Sequence, residues 1–324
     1  MKLSHRRHFL HLAAGAAALP VVPRTVRADT YPSRPVRILV GLPAGPAPDI
    51  VARLIGQSLS EQIGQQFFVD NRPGAAGNIA AEAVAHAPSD GYTLLAMTIT
   101  NAVNATLYDN LSFNFIDDIA PVAGVAIQPF IIVVNPSVPA QTLPEFIAYA
   151  KANPGKIVMA SPGVGSSPHV FGAMFGVMAG IDMLHVPYRS SYLPDLLSGR
   201  VQVIFVAIPT VIGDIRARKL RALAVTSAKR QQVLPDIPAA AEFMPGYEPI
   251  GWYGIGAPKS TSADVIEKLN NEINVALADS KMKGRLDDMG AAPMPMTPAE
   301  FGQFIANETG KWAKVIRAAN IKPD

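Results

Sequence analysis

Short apolar segments typical of β-strands alternate along this chain with amphipathic helical segments, and this alternation constrains its fold most strongly. Val36–Gly41 predicts a strand, and Asp49–Gly64 follows it with apolar residues at i+4 spacing, which predicts a helix. The same order recurs in the middle of the chain, where Ile157–Ala160 precedes Pro168–Gly180. Such alternation is typical of α/β proteins built on parallel sheets.

Two extended stretches, near 122–135 and 221–228, divide the chain. If both cross between sheets, residues 31–123 plus 227–324 form a discontinuous first lobe and residues 124–226 form a second. Two α/β lobes joined by paired crossover strands make a hinged clamshell with a cleft between them. A single large doubly wound sheet is the alternative, and periodicity alone does not separate the two.

Residues 1–28 have the features of an export signal. The segment Arg6-Arg7-His8-Phe9-Leu10 precedes an alanine-rich apolar run, and Val26-Arg27-Ala28 ends on a small residue. The paired arginines favour the twin-arginine route; a general secretory signal or an amphipathic N-terminal helix are the alternatives. The apolar run is shorter than the roughly 20 residues that span a bilayer. We therefore expect cleavage near Ala28 and a mature protein in the periplasm.

The composition narrows the classes of function. The chain has 28 basic and 25 acidic residues. Five of the basic residues lie in the export segment, so 23 remain against 25 acids, and this balance gives no support to nucleic-acid binding. There is no cysteine, which excludes disulfides and thiolate chemistry. Only His86, His169 and His185 follow the export segment, so we expect neither a metal site nor a cofactor.

Two loops at strand-to-helix junctions have the chemistry of an anion site. They are Gly41–Asp49 in the first half and Ala160–His169 in the second. At such junctions backbone N–H groups and the positive end of the helix dipole point outward, at the carboxyl ends of the strands. Gly163 and Gly165 permit close approach of a ligand to the backbone. Hydroxyl donors are supplied by Ser161, Ser166 and Ser167.

Other interpretations of these residues stay open. Asp49 could stabilise the helix dipole, orient its loop or meet a ligand. His169 could close a pocket or pack in the core. Neither loop carries Gly-Lys-Ser/Thr or Gly-x-Ser-x-Gly, so a nucleotide P-loop and a hydrolase nucleophile elbow are not supported. One helical face is predicted to pack in the core, and it consists of Phe171, Met174, Phe175 and Met178.

A series of segments in order and in register carries a family resemblance. The segments include Tyr31–Arg37, Pro43–Gly45 with Asp49, Val69–Gly77, Asn135–Pro139, Ser161–His169, Val186–Tyr188, Asp195–Gly199 and Leu220–Ser227. Together they resemble the Bug family, the periplasmic solute receptors of tripartite tricarboxylate transporters. The resemblance spans nearly the whole chain after the export segment.

The resemblance implies a type II periplasmic-binding-protein fold, in which two crossing strands join two α/β lobes. It also implies a small organic carboxylate held in the cleft by backbone amides and bound water, without catalytic machinery. The apolar residues Leu42, Ile99, Val164 and Ile208 near the proposed cleft would also permit an amide. The implied ligand-binding residues are Pro43, Ala44, Gly45, Ala47, Asp49, Pro162, Gly163, Val164, Gly165, Ser166, Ser167, His169, Tyr188, Ala207 and Ile208.

One departure from the family pattern affects the first loop. Pro46 stands where the family usually has a second glycine, and neither Pro46 nor Pro48 has an N–H to donate. The donors expected to remain in this loop are Ala44, Gly45, Ala47 and Asp49.

The leading hypothesis is a solute receptor that delivers its ligand to membrane permease subunits and acts as a monomer. An exported α/β enzyme is less supported, because no nucleophile, base and orienting group recur at a recognisable spacing; Ser166 with His169 is the nearest candidate. A ligand-sensing module for a signalling partner would share the same sequence features.

Overall fold

The computed structural model describes residues 31–323, so the export signal predicted over residues 1–28 lies outside the described residues. Between residues 31 and 323, no helix has both the length and the apolar character needed to cross a bilayer.

The helices and strands follow one another in three stretches of the chain. The first stretch contains β1 (Val36–Val40), α1 (Ala47–Ile63), β2 (Phe67–Asn71), α2 (Asn78–Ala85), β3 (Thr93–Thr98), α3 (Ile99–Leu107), α4 (Phe115–Asp118) and β4 (Ile119–Gln128). The second contains β5 (Phe130–Val134), α5 (Leu143–Ala152), β6 (Ile157–Ser161), α6 (Ser167–Ala179), β7 (Met183–Pro187), α7 (Leu193–Leu197), β8 (Val203–Ala207), α8 (Ile208–Arg216) and β9 (Arg221–Val225). The third contains β10 (Gly251–Pro258), α9 (Ala263–Ala278), α10 (Ser280–Asp288), β11 (Ala292–Pro293) and α11 (Pro298–Ala318).

The strands form two mixed sheets, in the orders β11-β4-β10-β3-β1-β2 and β7-β6-β8-β5-β9. The predicted α/β architecture with two lobes is confirmed. The expectation of wholly parallel sheets is wrong, because β10 runs antiparallel to β3 and β4, and β5 runs antiparallel to β8 and β9. Each of these strands is preceded along the chain by a strand of the other sheet. They therefore lack the helical crossover that connects successive parallel strands.

The six-stranded sheet with its helices is called here the first lobe, and the five-stranded sheet with its helices the second lobe. The chain passes from the first sheet to the second at Pro129 and returns between β9 and β10. Because β4 stays in the first sheet through Gln128, this change of sheet comes after the expected boundary at 124. The domain limits 31–123 with 227–324, and 124–226, otherwise stay a prediction.

One hydrophobic cluster runs through both lobes. It contains Phe171 on α6 of the second lobe and Trp312 on α11 of the first, and both side chains are fully buried. Their rings stack with centroids 5.6 Å apart, and Tyr247 donates a hydrogen bond to the Phe171 carbonyl oxygen at 3.0 Å. Such aromatic pairs contribute about 0.5–1.5 kcal/mol beyond their buried area. This packing fixes the position of α6 relative to the first lobe.

The end of the apolar face of α6 differs from the sequence expectation. Phe171, Met174 and Phe175 are buried, but Met178 is 41% exposed, so its predicted place in the core is wrong. Met178 lines a groove whose α11 wall includes Ala306 and Gly310, a methyl group and a residue without a side chain.

The packing of α6 on α11 predicts a large effect of truncating Phe171. Phe171→Ala should lower the free energy of unfolding by about 3–5 kcal/mol, because it leaves a cavity in a core shared by both lobes. The exposed Phe243 supplies the control, and Phe243→Ala should change stability by less than about 0.5 kcal/mol. Chemical denaturation followed by circular dichroism measures both. Similar small losses for the two variants would show that the lobes do not share a core.

Candidate ligand-binding site

The first loop joins β1 to α1 and is shaped by its own backbone. Pro46 precedes the helix with φ −62° and ψ 161°, and its carbonyl oxygen accepts hydrogen bonds from the N–H groups of Asp49 and Ile50. Pro48 lies in the first turn of α1, where a missing N–H costs nothing. The loop residues from Leu42 to Pro46 are exposed.

Asp49 holds this loop through four hydrogen bonds. Its Oδ2 accepts from the Gly45 N–H at 2.9 Å and from Arg53 Nε at 3.0 Å. Its Oδ1 accepts from Arg53 Nη2 at 2.9 Å and from Asn71 Nδ2 at 2.8 Å. Burial raises the pKa of the Asp49 carboxyl, but the hydrogen bonds from Arg53, Gly45 and Asn71 outweigh it and hold the pKa below its ordinary value. Asp49 is 2% exposed, so this geometry favours its role in orienting the loop.

These contacts decide which N–H groups of the loop stay available. The N–H groups of Gly45 and Asp49, which were also expected to donate to a ligand, donate here to the Asp49 carboxylate and to the Pro46 carbonyl oxygen, so their contact with a ligand stays a prediction. The N–H groups of Ala44 and Ala47 have no hydrogen-bond partner within residues 31–323. Ala47 is the first residue of α1, where the helix dipole adds to the attraction for an anion.

Helix α3 lies beside the first loop, because β3 pairs in parallel with β1. A capping box of Thr98 and Asn101 starts this helix: Thr98 Oγ1 accepts from the Thr100 N–H, and Asn101 Oδ1 accepts from the Thr98 N–H at 2.8 Å. A hollow of about 30 Å³ lies between the start of α3 and the first loop, bounded by Gly41 and Pro48 among others. It has room for about one or two water molecules.

Asn104 on α3 is a functional candidate that the sequence analysis did not single out. Its Nδ2 donates to the Ala76 carbonyl oxygen and to Asn78 Oδ1, both at 2.9 Å. The Ala76 carbonyl can only accept, so the orientation of the Asn104 amide is fixed. Its Oδ1 is buried without a partner among residues 31–323. The sequence signal that could have identified Asn104 is the asparagine-rich composition of this segment.

The second loop joins β6 to α6 and is held by three side chains. Ser161 Oγ accepts from the Gly163 N–H at 3.1 Å, and His169 Nδ1 accepts from the Gly165 N–H at 3.1 Å. The Ser166 hydroxyl donates to the Gly163 carbonyl oxygen at 2.6 Å. The N–H groups of Val164 and of Ser167, the first residue of α6, have no hydrogen-bond partner in the described chain.

His169 and His185 form a stacked pair behind the second loop. Their ring centroids are 3.7 Å apart, and His185 Nε2 lies 2.6 Å from Ser161 Oγ. Burial, and then the neighbouring His185 ring, lower the pKa of His169 from 6.5 to about 3. Since Nδ1 accepts a hydrogen bond, the neutral His169 ring carries its proton on Nε2. Both rings line a hollow of about 490 Å³ that lies between α6 and the end of α11. Asp182 also lines this hollow.

Gly165 brings the second loop against the first lobe. It has φ +77°, and a Cβ atom placed on it would lie 2.7 Å from Leu107 Cδ2 and 3.8 Å from Asn104 Oδ1. The second loop therefore packs on α3, whose first turn borders the first loop. In this way α3 connects the two predicted loops.

The remaining predicted site residues differ in their surroundings. Pro162 is exposed, whereas Val164 and Ser167 are half-buried. Tyr188 donates its N–H to the Ser161 carbonyl oxygen and its hydroxyl to Asp195 Oδ2 at 2.7 Å, so it lies beside the second loop. Ala207 is half-buried at the end of β8, and Ile208 is buried in the core of the second lobe.

No nucleophile–base pair forms from the serines and histidines of the second loop. Ser166 donates to the Gly163 carbonyl oxygen, and His169 Nδ1 accepts from the Gly165 N–H. Both side chains are therefore hydrogen-bonded to the loop backbone and not to each other. Ser161 does contact His185, but its side chain is fully buried. Within residues 31–323, no group of three or more His, Cys, Asp and Glu side chains is placed to hold a metal ion.

Known proteins match this chain in sequence and in fold. The family model of the tripartite tricarboxylate transporter family receptor, TctC, matches residues 51–321. Protein BugT of Bordetella pertussis is 34% identical over 318 residues, which cover 97% of this chain and 96% of BugT. Among solved structures, R. palustris Rpa4515 with adipate is 34% identical with a TM-score of 0.80, and the match covers 91% of this chain and 100% of that one. MatC of Rhodopseudomonas palustris with bound malate is 29% identical with a TM-score of 0.77, covering 88% and 100%.

The chain belongs to the tripartite tricarboxylate transporter receptor family, as its resemblance to the Bug proteins predicted. This is a family of periplasmic solute-binding receptors and not a family of enzymes.

The contact of Gly165 with α3 predicts a specific cost of adding one methyl group. Gly165→Ala should lower the free energy of unfolding by about 2–4 kcal/mol, because a positive φ and a clash with Leu107 act together. The control is Gly180→Ala at the other end of α6, where φ is +64° and a Cβ meets nothing within 4 Å. That variant should lose only about 1–2 kcal/mol.

A second substitution separates the two causes. In a Leu107→Ala background the clash is absent, so Gly165→Ala should cost no more than Gly180→Ala does. Denaturant titrations of the four variants and the parent give the coupling energy. Equal costs of Gly165→Ala with and without Leu107 would contradict the packing of the second loop on α3.

The lowered pKa of His169 predicts a pH dependence of stability. Between about pH 3 and 6.5 the unfolded chain binds a proton at His169 that the folded chain does not. This stabilisation is therefore complete above pH 6.5 and is lost as the pH falls toward 3. In His169→Gln, the slope of the free energy of unfolding between pH 4 and 6 should be shallower by up to about 1.4 kcal/mol per pH unit. His86→Gln, on the surface, controls for removal of an imidazole. An unchanged slope in His169→Gln would contradict this assignment.

Proposed function

We propose that this protein is a receptor that captures a small organic carboxylate between its lobes, with carboxylate groups bound by backbone N–H groups of both loops. The observation that carries the proposal is the matching set of donors: Ala44 and Ala47 on the first loop, Val164 and Ser167 on the second. On each lobe one donor lies in the loop and the other is the first residue of a helix. Hydrogen bonds to charged groups contribute on the order of 1.5–3 kcal/mol each.

A ligand with an acceptor at each end suits two sets of donors on facing lobes. Adipate and malate, found with the two palustris proteins, are dicarboxylates of this kind. The ion pair of Asp49 also supports an anionic ligand. Its carboxylate is paired with Arg53, so it presents little negative charge to an incoming anion. We therefore propose a dicarboxylate as the ligand class.

The family relationship supports the rest of the proposal. Receptors of this family work with membrane permeases, so we propose that this protein releases its ligand to such a permease from the periplasm, after removal of the predicted signal near Ala28. We further propose that the ligand is bound without turnover. The serine and histidine contacts of the second loop support this, since they hold the loop in shape.

Removing single N–H groups tests the site. Ala47→Pro deletes one donor, and Pro46 already has the φ and ψ that a following proline requires. Ser167→Pro does the same on the second lobe, where Ser166 has φ −65° and ψ 155°. Each variant should bind the best ligand about 10–100 times more weakly, at unchanged melting temperature without ligand.

Ala47→Ser and Ser167→Ala keep the N–H groups and serve as matched controls with near-native affinity. A thermal-shift panel of mono- and dicarboxylates, including adipate and malate, finds the ligand, and calorimetry gives the dissociation constants. Native affinity in both proline variants would place the ligand elsewhere. A panel in which no carboxylate raises the melting temperature would contradict the proposed function itself.

A further inference from the structure

A groove between α6 and α11 has no part in the ligand site. It encloses about 540 Å³ and has one wall on each lobe. Val177 and Met178 of α6 are 44% and 41% exposed in it. Large apolar side chains gathered in such a groove mark a surface that another molecule covers.

Gly310 opens the α11 wall of this groove. It lies within a helix of 21 residues, where glycine costs about 1 kcal/mol relative to alanine. A Cβ atom at Gly310 would meet nothing within 4 Å, so no contact inside the described chain requires a glycine there. Together with Ala306, one turn earlier on the helix, it leaves space for a side chain from outside.

The rim of the groove is basic. Lys311 and Lys314 line it, and none of its lining residues is acidic. Lys311 pairs with Glu308, whereas Lys314 is exposed and forms no ion pair with residues 31–323. A partner with carboxylates beside apolar side chains would match this pattern. A second copy placed by two-fold symmetry would bring its own lysines to the same rim, so the charges disfavour it.

We propose that this groove docks an acidic amphipathic segment of a protein partner, with apolar side chains on Val177, Met178 and Gly310 and a carboxylate on Lys314, whose charge no ion pair within residues 31–323 satisfies. The proposal rests on the proposed function, because the partner of a transporter receptor is its membrane permease. A segment seated here contacts both lobes. It also reaches the hollow behind His169 and His185, since Val177 and Ala318 line both spaces.

The test measures binding of the mature chain to inner-membrane vesicles from the strain that encodes it, by sedimentation, with and without excess adipate. Gly310→Trp fills the groove and Lys314→Glu reverses the rim charge. The controls are Gly284→Trp, another exposed helix glycine with open space, and Lys283→Glu on the same helix as Gly284. Protease-treated vesicles and protein-free liposomes of the extracted lipids separate a protein partner from a lipid surface.

We expect Gly310→Trp and Lys314→Glu to bind native vesicles at least about tenfold more weakly than the parent and both controls, and we expect binding to disappear after protease treatment. Parental binding by both groove variants, binding that persists on liposomes, or no binding of the parent to native vesicles would each overturn the proposal. Dimerisation of the parent that Gly310→Trp abolishes would assign the groove to a second copy instead. The thermal shift with carboxylates, measured on the same variants, should be unchanged, so a failure of docking is distinguishable from a failure of ligand binding.

Discussion

The stacking of Phe171 on Trp312 is the contact on which the rest of this structure depends. Phe171 lies one turn into α6, and the first residue of α6 ends the second loop. By fixing α6 against α11, this contact sets where the second loop meets the first lobe. The hydrophobic cluster around it includes residues of both sheets, so the two lobes are joined by a shared core as well as by the crossing segments. The place at which Gly165 touches α3 follows from that packing.

Buried side chains shape both loops, and backbone groups are left to face the ligand. The Asp49 carboxylate accepts a hydrogen bond from the Gly45 N–H, and His169 Nδ1 accepts one from the Gly165 N–H. The N–H groups of Ala44, Ala47, Val164 and Ser167 are left without a partner within residues 31–323. A neutral histidine and a paired carboxylate add no net repulsion to an anion, so the helix dipoles of α1 and α6 dominate the local field. The chemistry of the site is thus set by backbone geometry that a few side chains enforce.

The sequence predicted the architecture and the position of the loops well, because both depend on periodicity and composition. Helices α1 and α6 begin and end within two residues of the helices expected over Asp49–Gly64 and Pro168–Gly180. Strand β10 was not predicted, because three of its eight residues are glycine, which has a low strand propensity. The structure explains these glycines: a Cβ at Gly254 would lie 2.1 Å from Phe301 Cζ, so α11 can pack on this strand only if the residue is glycine.

Helix α3 was not predicted, because Asn and Thr have low helix propensity. Its capping box compensates for that low propensity. Ala44 and Ala47 were among the expected donors, but the sequence could not separate them from Gly45 and Asp49, because that depends on which N–H groups the loop itself binds.

A crystal structure of the mature protein with the dicarboxylate that stabilises it most would test the proposed site directly. We expect one carboxylate within hydrogen-bond distance of the Ala44 and Ala47 nitrogens, and the other within hydrogen-bond distance of the Val164 and Ser167 nitrogens. The Asp49–Gly45 and His169–Gly165 hydrogen bonds should be retained. A ligand bound by one lobe alone, or one that displaces Asp49 from Gly45, would contradict the claim that buried side chains present backbone donors to a two-ended anion.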